Sequence, residues 1–263
     1  MSDESVIFAV TEEGVATVTL DRPQVRNAFD ETVIERLADV FEDIAVSDGI
    51  RVALIEAVGT SFSAGADLNW MRRAADFDED DNLEDARALG AMLHRLYSLP
   101  KPTVALVQGS AYGGGAGLIA ACDMAITVAD ARFAFSEVRL GIVPAVISPY
   151  VIGAIGRRAA GRYMVSGERF DAAEARRIGL VHEVVADAQA LNAAGERLVD
   201  TLLKAAPGAI AETKDLIDAV ADRPIDAHLI DDTARRIARV RTGEEGREGV
   251  AAFLEKRKPR WAR

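Results

Sequence analysis

The sequence predicts an α/β fold with a helical C-terminal region, and three observations carry that prediction. Short β-branched runs alternate with segments of helical apolar spacing over the first two-thirds of the chain. Beyond residue 145 the periodicity is almost wholly helical, near Ala188–Leu203, Pro207–Val220, Asp226–Val240 and Glu244–Glu255. The chain has 263 residues, of which 49% are apolar and 28% charged, enough to bury one large core.

Taken in order, Val6–Val10 and Val15–Leu20 flank Thr11-Glu12-Glu13-Gly14 and predict a hairpin closed by Asp21-Arg22-Pro23. Asp30 is placed to cap a helix carrying Val33, Ile34, Leu37, Val40, Phe41 and Ile44 on one face. Val52–Val58 has the continuous apolar character of a buried strand, and the small residues of Thr60–Leu68 predict irregular chain. Asp76–Asp85 is strongly acidic and without apolar period, which predicts a solvated, mobile loop. A helix with Leu89, Met92, Leu93 and Leu96 follows, ended by Pro100-Lys101-Pro102. Thr103–Val107 predicts a strand, Gly113-Gly114-Gly115 opens a small-residue helix through Cys122, and Met124–Val128 and Arg132–Phe135 predict two more strands.

Composition excludes several function classes. A formal charge of −11 argues against a nucleic-acid partner, which requires a basic face. Local basic clusters remain at Arg22–Arg26, Arg72–Arg73 and Lys256–Arg263. Cys122 is the only cysteine, so no intrachain disulfide can form, in keeping with a cytoplasmic location. The opening MSDESVIFAV has no basic segment before an apolar run, so no signal peptide is expected, and no apolar stretch approaches a membrane span. His94, His182 and His228 are scattered without metal-ligand spacing, so no metal is expected. No Ser-His-Asp arrangement is identifiable.

Three segments have the composition of a reactive site. Phe62-Ser63-Ala64-Gly65-Ala66-Asp67-Leu68 follows a strand with small side chains that let a ligand reach the backbone, and Asp67 is placed to cap the next helix. Taken alone, the segment reads as a tight strand-to-helix turn. Gly109-Ser110-Ala111-Tyr112-Gly113-Gly114-Gly115 leads into a helix whose unpaired N–H groups suit an oxyanion. It lacks the Lys-Ser/Thr ending of a phosphate loop and the spacing of a dinucleotide fingerprint. Glu137 stands between apolar residues in Phe135-Ser136-Glu137-Val138, where a raised pKa would suit proton transfer near neutral pH. The alternative is a surface carboxylate paired with Arg139.

In this order and spacing, Asp21-Arg22-Pro23, Arg26-Asn27-Ala28, FSAGADL, GGGAGLIAACD, FSEVRLGIVP and EGREGVAAFLEKRKPRW resemble the enoyl-CoA hydratase/isomerase (crotonase) superfamily over nearly the whole chain. The resemblance implies a spiral of β-β-α turns, with residues 1–200 as an acyl-CoA-binding catalytic core and 201–263 as a helical trimerisation region. It implies an oxyanion hole of the Ala66 and Gly114 backbone N–H groups holding the thioester carbonyl. Coenzyme A contacts fall near Arg26, Ala28, Ala64, Gly65, Ala66, Asp67 and Leu68. Coenzyme A enters as part of the substrate, with no separate cofactor, and the expected assembly is a homotrimer or a dimer of trimers.

Glu137 matches the second of the two glutamates that hydratases of the family use, and Gly117 stands where the first would be. Glycine costs about 1 kcal/mol in a helix, so helix stability does not explain it; the preferred reading is room for a branched or longer acyl group, and the alternative is drift in an enzyme that never needed the first carboxylate. The run Ser136–Tyr150 resembles the branch hydrating methylglutaconyl-CoA and related compounds, whose second carboxylate would need Arg139, Arg72 or Arg73. Tyr112, Gly117 and Arg139 are therefore expected to line the substrate pocket. The leading expectation is a hydratase using Glu137 as the single acid–base group. The alternatives are an enoyl-CoA isomerase and a non-catalytic acyl-CoA-binding scaffold.

Overall fold

The computed structural model describes residues 5–262. β1 (Val6–Val10) and β2 (Val15–Leu20) form the expected hairpin, with Gly14 at its turn. α1 (Glu31–Val46) begins where Asp30 accepts a hydrogen bond from the Val33 N–H, and its six predicted apolar residues are all buried. β3 (Val52–Ala57) and β4 (Ser61–Ser63) follow, then α2 (Leu68–Ala74) and α3 (Glu79–Tyr97). β5 (Thr103–Val107), β6 (Ser110–Tyr112) and α4 (Gly114–Ala120) make a second β-β-α turn. β7 (Met124–Val128), β8 (Arg132–Ala134), a 3₁₀ turn over Glu137–Leu140 and α5 (Ser148–Ser166) make a third.

Each turn of the spiral gives its first strand to one sheet and its second to another. The larger sheet runs β1-β2-β3-β5-β7-β10, with β10 spanning Glu183–Val185; the smaller runs β4-β6-β8-β9, with β9 spanning Phe170–Asp171. From β2 onward the larger sheet is parallel. β5 is buried at every position, as a central parallel strand must be. The remaining helices are α6 (Ala172–Ile178), α7 (Ala188–Leu203), α8 (Pro207–Val220), α9 (Ala227–Thr242) and α10 (Glu244–Leu254). α7 packs on the larger sheet and runs through residue 200, so the expected domain boundary falls inside a helix.

The acidic stretch departs from its expectation. Read as a mobile loop, it is largely helix, because α3 starts at Glu79 inside it. Asp78 accepts from the Asp81 N–H while the Asp81 side chain accepts from the Asp78 N–H, a reciprocal cap. Glu79, Asp80 and Asp81 then lie in the first turn, where the helix end favours negative charge. Acidic residues without apolar period therefore mark a helix start here, not a loop.

Asn27 ties the frame together. It is buried with a left-handed φ of 53°, accepts from the Arg22 N–H, and donates to the carbonyls of Val58 and Ser61 at 2.8 Å each. One side chain thus clamps the loop after β2 to the β3–β4 corner. Nearby, Arg22 pairs with Asp30 at 2.8 Å and donates to the Ala28 carbonyl.

Candidate active site

The two small-residue segments meet across Phe29. The Phe29 N–H donates to the Gly65 carbonyl at 2.7 Å, and the Asp67 N–H donates to the Phe29 carbonyl at 2.8 Å. That bridge uses one edge of the strand, so the Ala66 N–H between them faces the other way. The Phe29 ring is only 4% exposed, and a Cβ built on Gly114 would stand 3.3 Å from it. One residue therefore holds the chain at Ala66 through its backbone and the chain at Gly114 through its ring.

Gly65 shows how close the segments come. Its φ is 86°, and a Cβ there would meet the Tyr112 carbonyl oxygen at 2.9 Å and the Gly114 nitrogen at 3.5 Å. Glycine is required on both counts, conformation and approach. Gly114 is the first residue of α4, so its N–H has no intrahelical acceptor. Among the described residues no backbone acceptor takes the N–H of Ala66 or of Gly114. Two open donors thus stand beside each other at a helix end, an arrangement suited to a developing oxyanion.

Glu137 faces the same turn. A Cβ on Gly113 would lie 3.2 Å from Glu137 Oε1, and Oε2 is buried without a hydrogen-bond partner. No ion pair to Arg139 forms; Arg139 is exposed and lies across the turn at Gly167. Burial pushes the Glu137 carboxyl above the usual carboxylate range, offset in part by its own backbone N–H. A half-buried carboxylate with one buried, unsatisfied oxygen, set against the turn that offers an oxyanion donor, is equipped to carry a proton.

The space expected beside Gly117 is absent. A Cβ on Gly117 would lie 2.3 Å from Ile147 Cγ2 and 2.7 Å from Ile147 Cβ. Gly117 is buried, and Ile147, 3% exposed, fills the volume that a longer side chain on the helix would take. The reading of Gly117 as an opening for a larger acyl group is corrected accordingly. Distance in sequence hid this, because Ile147 lies thirty positions on, at the start of α5.

The other predicted residues are placed as follows. The Arg26 carbonyl accepts from the Ala64 N–H at 2.9 Å, and the buried Ala28 precedes Phe29, so the two proposed coenzyme A segments are neighbours. Leu68 is 69% exposed beside them. Asp67 is buried and caps α2 through the N–H groups of Asn69 and Trp70, so its carboxylate is committed and unavailable to a ligand. Tyr112 is half-buried, with the Arg169 guanidinium 5.4 Å from its ring centre. Arg73 is bonded to Glu31 and Arg72 to Asn69, which leaves Arg139 the least committed of the three candidate cations. Phe29 was not singled out from sequence, and Asn27 and Ile147 stood only within the runs that carry the family resemblance, with no role of their own. Apolar or amide side chains that act by packing leave no chemical signature.

A surface cleft elsewhere, between α5 and α6, is lined by Arg157, Arg158, Arg162 and Arg177. Two of these pair with Glu168 and Glu174, and the cleft contains no buried unpartnered carboxylate. No group of three or more His, Cys, Asp or Glu side chains suited to a metal occurs among the described residues, and no helix there is long and apolar enough to cross a membrane.

The family model described as enoyl-CoA hydratase/isomerase matches residues 10–263. The chain belongs to that family. Its fold superposes on an enoyl-CoA hydratase from Shewanella pealeana with a TM-score of 0.94 and 45% identity, covering 98% of this chain and 96% of that one. The 2,3-dehydroadipyl-CoA hydratase of Escherichia coli K12 is 32% identical over 257 residues, 97% of this chain and 98% of its own. The carnitinyl-CoA dehydratase of the same strain is 32% identical over 260 residues, 94% of each chain. As a member of the enoyl-CoA hydratase/isomerase family, the chain is an enzyme with the crotonase fold. These relatives are named for different acyl groups, so membership alone does not select the acyl group here.

Proposed function

We propose that this enoyl-CoA hydratase/isomerase family member is a hydratase that adds water across the 2,3 double bond of an enoyl-CoA thioester. The observation that carries the reading is the half-buried Glu137 carboxylate, whose Oε2 is buried without a partner, facing the turn that opens on the free N–H groups of Ala66 and Gly114. The thioester oxygen sits between those two donors. Water attacks C3 as Glu137 removes its proton, negative charge moves through C2 to the thioester oxygen, and Glu137 returns a proton to C2. The sum is addition of one water with the carboxylate regenerated.

A second reading, isomerisation of the 3-enoyl to the 2-enoyl thioester, is favoured by Ile147. Its Cβ and Cγ2 fill the space into which a side chain at residue 117, the position matching the family's first glutamate, would extend. Glu137 alone can remove a proton at C2 and return it at C4. A spectrophotometric assay separates the readings. Hydration consumes the conjugated thioester absorbance of a 2-enoyl-CoA, while isomerisation creates it from a 3-enoyl-CoA. Creation without consumption overturns the hydratase reading.

A methylglutaconyl-type, dicarboxylic acyl group is the proposed substrate class, supported by the sequence resemblance of Ser136–Tyr150, with the exposed Arg139 as the candidate cation for the second carboxylate. The same reading includes a homotrimer or a dimer of trimers. Ile225, Phe253 and Leu254, each more than 70% exposed, lie on the C-terminal helices and the loop between them and need a cover. Light scattering on the purified chain should give three or six times the 28.1 kDa chain mass; a monomer would refute the assembly.

A further inference from the structure

Two stretches of chain meet at the Ala66 donor, residues 28–30 and residues 65–67, and Phe29 joins them through its backbone. A second joint lies beside the first, and it is ionic. Nη1 of Arg22 donates to the Ala28 carbonyl at 2.9 Å and pairs with Asp30 at 2.8 Å, while Nη2 stands 3.5 Å from the Asp67 carboxylate. One arm of the guanidinium thus serves each stretch. Both carboxylates also cap helices. Asp30 accepts from the Val33 N–H at the start of α1, and Asp67 accepts from the Asn69 and Trp70 N–H groups at the start of α2. Arg22 therefore ties two helix starts together at the residue that follows Ala66.

Arg22 is itself held in place. Its N–H donates to Asn27 Oδ1 at 2.8 Å, and the Asn27 N–H donates to the Arg22 carbonyl at 2.9 Å. The side chains of Arg22, Asp30 and Asp67 are 17, 15 and 6% exposed, so water screens their charges weakly. Among the described residues Arg22 is the only cation within ion-pair distance of either carboxylate. Without it, two poorly solvated negative charges would confront each other across the joint that sets Ala66, and like charges so placed repel. The two hydrogen bonds of the Phe29 bridge would be left to oppose that repulsion.

Resting on the oxyanion hole of the reading above, we infer that Arg22 is a positioning residue of the active site. Its two arms hold the Ala66 N–H at the separation from Gly114 that a thioester oxygen needs. Arg22 acts through Asp67 and the backbone, so its effect falls on the oxygen as it gains charge and little on ground-state binding.

Full-length variants test this, with active sites counted by calorimetric binding of a saturated acyl-CoA ester so that loss of folded protein drops out. Arg22→Gln should lower kcat per site by about tenfold or more, part of the roughly 10²–10³-fold value of a whole oxyanion donor, with ester affinity within about threefold of the parent. Arg22→Lys, a point charge that serves one carboxylate at a time, should fall between the two. Adding Asp67→Asn to Arg22→Gln should restore part of kcat, because the amide keeps the α2 cap and removes one of the two charges. In infrared spectra of an isotope-labelled saturated ester, the bound thioester carbonyl should shift down less in Arg22→Gln than in the parent. Parental kcat per site in Arg22→Gln, an equal loss with and without Asp67→Asn, or an unchanged carbonyl shift overturns the inference. Should Arg22→Gln not fold, Arg22→Lys is read in its place, and parental kcat there overturns it equally. The parent separates this inference from the reading beneath it. A parent that shows no carbonyl downshift, or that neither hydrates nor isomerises any enoyl-CoA, sinks the oxyanion hole and this inference together; parental behaviour in the variants sinks this inference alone.

Discussion

Glu137→Gln should lower turnover of the best enoyl-CoA substrate by about 10²–10⁴-fold while leaving the affinity for saturated acyl-CoA esters nearly unchanged. The amide keeps the shape of the side chain and removes its capacity to exchange a proton. The same variant should raise Tm at neutral pH. Burial holds the folded-state pKa of Glu137 above its unfolded value, so the folded protein binds the proton more tightly than the unfolded chain does. The sign follows directly. The cost of the buried charge is absent below the unfolded pKa, develops as pH rises through the folded pKa, and is fully present above it. The Tm advantage of Glu137→Gln should therefore shrink as pH falls into the carboxylate range. In the parent, the acidic limb of kcat/KM should lie above the ordinary glutamate pKa, because the ionised form takes the proton from water. Turnover retained in Glu137→Gln would remove both the hydratase and the isomerase chemistry.

The second large effect is expected at Gly65. Gly65→Ala should cut kcat by roughly 10²–10³-fold, the value of one oxyanion donor. The new Cβ would collide with the Tyr112 carbonyl at 2.9 Å, and an L-residue at φ 86° is strained in any case. Relief requires the Ala66 chain to move away from Gly114, separating the two donors. Loss should fall mainly on kcat, because the thioester oxygen needs both N–H groups most when it carries charge. Circular dichroism and acyl-CoA binding would show that the fold persists. A folded Gly65→Ala with parental kcat would mean that the two N–H groups do not act together.

The sequence made the chemistry legible because chemistry here needs particular residue types. Gly65 and the three glycines from Gly113 to Gly115 announced close backbone approach, and Glu137 announced a carboxylate between apolar neighbours. Asp30 and Asp67 announced helix starts, and both act as caps in the structure. Short pairing elements were missed: β4, β6, β9 and β10 have two or three residues each, too few for a period to register. The acidic start of α3 was misread because the search there was for apolar spacing, and the reciprocal cap of Asp78 and Asp81 carries none.

What the sequence determined by itself was the α/β class, the family and the candidate groups for holding an oxyanion and moving a proton. Those depend on local pattern and on residue type. The tertiary structure alone decided how these groups meet: that Phe29 couples Ala66 to Gly114, that Asp67 is spent on a cap, and that Ile147 occupies the space Gly117 leaves open. Each is a contact between segments distant along the chain, and close packing makes such contacts specific only after the backbone has been brought into place.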